Sequence, residues 1–186
     1  MSYYALISSL PMVLLEGDAG ITVDRFLSYC AACVKKEQYK ILEKLALDLS
    51  PADFKADSVP GRYAAWEAAL RNAIVKCRSR KMDCDPEAYL NKTAEEEFDA
   101  ERAATSAWLV TNPLEREKLL DQARWQKLEE LEFGTQFSFD QLCVYKLKLL
   151  LQRKWLGRVQ ELAAKNLELS VEAVIRSIES KTKQEN

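Results

Sequence analysis

Five cysteines, a run of three glutamates and a cluster of bases are the residues of this 186-residue chain best suited to chemistry, and there is no histidine. Lack of histidine removes the commonest general base and the commonest metal ligand. It also removes any Ser/His/Asp or Cys/His relay. No Gly-x-Gly-x-x-Gly and no phosphate-loop signature occurs. Cys30-Ala-Ala-Cys33 has the spacing of a metal or redox pair, and Cys77 with Cys84 would have to complete a four-sulfur zinc site. The first two lie inside a helical pattern with no glycine knuckle, and six residues separate the second pair. The thiols therefore read as small buried hydrophobes, kept reduced because their number is odd. Glu95-Glu96-Glu97 reads as a solvated helix face rather than an acid–base pair. The expectation is a protein with no catalytic residue, no cofactor site and no metal site. One equivalent of tightly held zinc would revive an enzyme or metal-protein reading.

The bases are the more informative group. From Asp140 to Arg158, Lys146, Lys148, Arg153, Lys154 and Arg158 outweigh Asp140, a net of +4, within a chain of net charge 27 − 29 = −2. From Asp83 to Glu101 eight acids face the single base Lys92, a net of −7. Such blocks pair inside the fold, lie as solvated stems over apolar surface, or meet a partner of opposite charge. Trp155, beside Arg153 and Lys154, has the character of an interface aromatic. Lys146, Lys148, Arg153, Lys154, Trp155 and Arg158 are accordingly the candidate partner-binding residues. No overall basic excess points to nucleic acid.

These residues sit on the best-marked helix of the chain. Ser138 and Gln141 form a capping-box pair, and Leu142, Tyr145, Leu149, Leu156, Val159 and Ala163 recur at steps of three, four and seven. Between 142 and 151 only Lys146 and Lys148 interrupt apolar residues on all sides, the mark of a buried helix. Around it the sequence suggests a short helix or extended arm over 3–10, too short a run for periodicity to decide, and the spacing predicts a Thr22-capped helix over 23–34. Further helices are expected over 38–48, 61–80 (Tyr63, Trp66, Leu70 and Cys77 inward) and from about 87 or 93 to 110 (Phe98, Ala104 and Trp108 inward). Asn112-Pro113 opens a helix to Glu132 that buries Leu119, Leu120, Ala123, Leu128 and Leu131 and ends at Gly134. Ser170 caps a last helix. The four tryptophans, Trp66, Trp108, Trp125 and Trp155, are expected to anchor helix contacts. Thr22 to Tyr29 echoes Ser138 to Tyr145, a likeness that common helix grammar also produces.

The fold class expected is all-α, a multi-helix bundle of about six to eight helices around a long central helix. It forms a single domain over 1–186, with a possible two-part division at 1–80 and 81–186. Hydrophobic residues at 48% and charged residues at 30% suit a soluble globular protein. No apolar run of 18 residues spans a membrane, and no basic segment precedes the N-terminal apolar run as in a secretory signal. A cytoplasmic location follows.

Three stretches carry a resemblance. The opening Tyr3-Tyr4-Ala-Leu-Ile-Ser-Ser-Leu-Pro11, the run Asn112-Pro-Leu-Glu-Arg-Glu-Lys-Leu-Leu-Asp-Gln-Ala-Arg-Trp125 and Phe137-Ser-Phe-Asp-Gln-Leu-Cys-Val-Tyr-Lys-Leu-Lys-Leu149 resemble an uncharacterised bacterial family encoded beside the V-type ATPase. The last is also similar to helices of the C-type component of V-type ATPases, an all-helical socket joining the rotating central stalk to the membrane ring. The resemblance implies a non-catalytic structural subunit or assembly factor in proton or sodium transport. Its partners would be the stalk and ring proteins, and it would be peripheral at the inner membrane through that complex without inserting. A free-standing cytoplasmic helical adaptor for another protein is the alternative.

Overall fold

Local capping signals set where the helices begin. A computed structural model describes residues 3–91 and 97–158. In chain order its α-helices are α1 (Tyr4–Ser9), α2 (Val23–Cys33), α3 (Lys36–Lys44), α4 (Val59–Met82), α5 (Phe98–Trp108), α6 (Pro113–Glu132) and α7, residues 139–158. Single 3-10 turns lie at Pro51–Asp53 and Glu87–Tyr89, and there is no strand among the described residues. The chain is an all-α multi-helix bundle.

Thr22 caps α2 by accepting from the Arg25 N–H at 3.2 Å, and Asn112 caps α6 by accepting from the Leu114 N–H at 3.0 Å. Ser58 caps α4 through the Gly61 N–H at 3.2 Å. At α7 the Ser138 hydroxyl accepts from the Gln141 N–H at 3.4 Å, while the Gln141 side chain accepts from the Phe137 N–H at 2.7 Å. The reciprocal half of the capping box thus closes one residue early, because Ser138 N–H is taken by the Thr135 carbonyl. The α6–α7 turn uses Gly134 at φ +82° and Phe137 at φ +55°.

α7 is central, as its all-round apolar pattern requires. Leu142, Cys143, Val144, Leu147 and Leu151 are fully buried against α2, α3, α6 and the N-terminal segment. Trp66, Ala69, Leu70 and Ala73 of α4 meet Ala100, Ala104 and Ala107 of α5 and Leu120 of α6 in a second, alanine-rich cluster. Both clusters draw residues from before and after position 80, so a division at 80/81 cuts through each. Two inward assignments are corrected: Phe98 is 75% exposed and Leu119 is 38% exposed. Phe98 is the first residue of α5, and Leu119 lines a groove between α5 and α6. The expected residues 159–165 of the central helix and the helix after Ser170 lie outside the described residues.

Candidate functional site

A helix surrounded on every side cannot leave an ammonium group bare, because an unpaired buried charge costs far more than a packed one gains. The polar side chains of α7 obey this one by one. The Lys146 Nζ donates to the carbonyl oxygens of Leu42 and Glu43, at the C-terminal end of α3, where the helix dipole favours a cation. Burial lowers the Lys146 pKa, and the charge of Glu43 offsets part of that. Lys148 pairs with Glu132 and stands over the Trp125 ring, 5.2 Å from its centre. The Tyr145 hydroxyl donates to the Pro11 carbonyl at 2.8 Å, and the Gln152 amide to the Leu14 carbonyl at 2.7 Å. Lys154 reaches Asp121 at 2.8 Å, and Arg158 reaches both Asp121 (2.6 Å) and Glu117 (2.8 Å). Trp155 is 8% exposed, with the Lys118 ammonium over its ring.

The set expected to face a partner is therefore mostly spent inside the molecule. Lys146, Lys148, Lys154, Trp155 and Arg158 are occupied, and only Arg153 points to solvent. It borders a hollow of about 440 Å³ that also holds Asp18 and Asp24. The internal acids are those of α6, not the block at 83–101. From that block, Glu101 pairs with Lys76 of α4 and Asp99 with Arg102; Lys92, Glu95 and Glu96 lie outside the described residues, and Glu97 is exposed.

Asp121 is the hub of a buried charge network that also reaches α4. It accepts from Arg124 at 2.9 Å as well as from Lys154 and Arg158. Arg124 in turn grips Glu67 of α4 with two parallel bonds of 2.9 and 3.0 Å, and Arg71 adds a third contact to Glu67 at 3.2 Å. Burial would lower the Arg124 pKa, but the charge and hydrogen bonds of Glu67, with Asp121 behind it, raise it above its ordinary value. Burial and then the Glu67 charge push the Tyr63 phenol up. Its hydroxyl has no hydrogen-bond partner among the described residues. The arrangement joins α4, α6 and α7 through fixed ion pairs. Each carboxylate in it is already committed to cations, so it offers no free acid or base.

Sequence reasoning missed this network, although a signal existed. Asp121 and Arg124 fall on the same three–four stripe as Leu128 and Leu131, and Glu67 lies among Tyr63, Trp66 and Leu70. Charged residues inside an apolar stripe are the mark of a buried pair.

The cysteines do not converge. Cys30 and Cys143 are fully buried and Cys77 nearly so, whereas Cys33 and Cys84 are exposed. No group of three or more potential ligands gathers among the described residues. Burial, then the neighbouring Cys33, pushes the Cys30 thiol up to about 12. Burial, then Asp140, raises Cys143 also. These thiols are protonated and inert near neutrality. No helix among the described residues is long and apolar enough to cross a membrane.

A family model described as a protein of unknown function (DUF2764) matches residues 96–165, the stretch holding α5, α6 and α7. No curated protein and no solved structure matches the chain.

Proposed function

We propose that the chain is a non-catalytic structural subunit or assembly protein of a V-type ATPase, similar to its C-type socket component, acting through shape and surface charge. The observation that carries this reading is that the three stretches bearing the resemblance are packed together. The Tyr3 N–H donates to the Phe137 carbonyl at 3.0 Å, and the Tyr4 and Phe137 rings lie 4.6 Å apart. The Tyr145 hydroxyl donates to the Pro11 carbonyl, and Lys148 of the 137–149 stretch stands over the ring of Trp125 in the 112–125 stretch. Residues scattered over the sequence thus meet in one unit, as a shared architectural role would require. Interlocked helices whose buried acids and bases neutralise one another suit a connector rather than a catalyst.

The test is purification of tagged protein from its native cells, with bound proteins identified by mass spectrometry. Central-stalk or membrane-ring proteins of a V-type ATPase should accompany it. An Arg153→Glu variant should retain the fold and recover less of them at low salt, with its deficit against the parent narrowing as salt rises. Capture of other partners without any ATPase component would overturn the proposal in favour of a free-standing adaptor.

A further inference from the structure

Residues 11–21, between α1 and α2, form neither helix nor strand and run along one face of α7. Tyr145 and Gln152 stand two helical turns apart on that face. They donate to the carbonyls of Pro11 and Leu14 at 2.8 and 2.7 Å. Asp18 and Ile21 share a hollow with Leu149, Gln152 and Leu156 of the same face, and with Arg153. Leu149 is 2% exposed and Gln152 4% exposed where this strap lies.

The strap is fastened lightly for its length. Among the described residues, no backbone–backbone hydrogen bond reaches any residue from 11 to 21. The Gly20 N–H bonds to the Asp18 carboxylate, within the strap itself. Glu16 pairs with Lys118 at 2.7 Å, but both side chains are exposed, and such a pair holds little. Val13 and Ala19 are its only buried side chains, both small, with Leu15 and Ile21 partly covered and Met12 and Leu14 well exposed. Gly20, at φ +66°, adds a joint near the start of α2. A segment with few buried apolar contacts and no backbone ladder opens at a free energy well below that of the whole fold. We infer that residues 11–21 are a detachable strap. It opens as one unit while the bundle stays folded, and so bares the Tyr145, Leu149, Gln152 and Leu156 face of α7. The open form presents an apolar stripe beside the solvent-facing Arg153. Use of that stripe by an ATPase partner rests on the reading above; the opening does not.

Alkylation of the full chain by N-ethylmaleimide, mapped by peptide mass spectrometry, tests it. Cys30 and Cys143, fully buried in α2 and α7, are internal standards that react only when the whole fold opens. The thiols introduced by Val13→Cys and by Ala19→Cys should react at a common rate, at least about 100-fold faster than Cys143. That rate should stay level in urea below the unfolding transition, whereas those of Cys30 and Cys143 should climb. The thiol introduced by Leu149→Cys should share the strap's rate, although Cys143 on the same helix does not. Gln152→Ala, which removes one fastening, should speed both strap thiols at least about fivefold relative to Cys143. Should Leu149→Cys unfold the bundle, shown by a reactive Cys143, the strap thiols decide alone. The inference is overturned if the strap thiols follow Cys30 and Cys143 in rate and urea slope, since the strap then opens only with the bundle. A fast reaction that Gln152→Ala leaves unchanged would also overturn it, as the mark of thiols accessible without opening. So would a folded Leu149→Cys chain whose new thiol reacts no faster than Cys143.

Discussion

Arg124 and Arg153 show how little residue type alone says about a charge. Both are arginines on helices, but Arg124 is bonded to two buried carboxylates and Arg153 faces water. Arg124→Met should cost about 3–5 kcal/mol in urea denaturation, because it strands Glu67 without its bidentate partner. Arg153→Glu should change stability by no more than about 0.5 kcal/mol, the usual range for an exposed site. Equal losses in the two variants would mean that the network does not hold the fold. Cys30 carries a separate signature. Its pKa is raised from 9.0 to about 12, so the folded chain holds that proton more tightly than the unfolded one. The resulting stability is complete below pH 9.0 and is lost as pH rises toward about 12. Lys146, whose pKa is lowered, works in the opposite sense, its burial cost easing as it deprotonates. Across this window Cys30→Ala should show a decline shallower than the parent's by up to about 1.4 kcal/mol per pH unit. Parallel stability–pH curves would exclude the assignment.

At the scale of elements, α7 is held by ties that its own polar residues make to α3, α6 and the segment after α1. Lys146 closes the end of α3, Lys148 and Lys154 hold α6, and Tyr145 and Gln152 hold the segment after α1. Its first turn depends on Ser138 and Gln141. Ser138→Ala should therefore cost about 0.5–2 kcal/mol, read as a shifted midpoint with an unchanged denaturant slope. An unmoved midpoint would show that the Gln141 contact to Phe137 suffices by itself. α4 has a different constraint at its start. A side chain at Gly61 would meet the Lys55 carbonyl oxygen at 2.1 Å, so the 55–58 turn can fold back onto α4 only over glycine.

Over the whole molecule, two apolar clusters coexist but α4 and α6 run through both. The Glu67–Arg124–Asp121 network lies across their junction. The clusters should therefore unfold together. Helix content by circular dichroism and tryptophan fluorescence are expected to give one coincident urea transition. Trp125 belongs to the first cluster and Trp66 to the second, so fluorescence reports on both. Two separated transitions would mean that the parts fold independently.

The all-helical class, the caps at Thr22, Asn112 and Ser138, and the burial of the central helix were legible in the sequence. Each is a local property: a hydroxyl or amide reaches a backbone N–H two or three residues on, and apolar periodicity declares which faces must leave water. The fate of the charges was not local. Lys154 and Arg158 lie more than thirty residues from Asp121, and Arg124 lies 57 residues from Glu67. Whether such a base meets water, a partner or an acid of its own chain depends on which helices pack together. Only the tertiary structure decided that, and it turned most of an expected interaction surface into the internal fastening of the bundle.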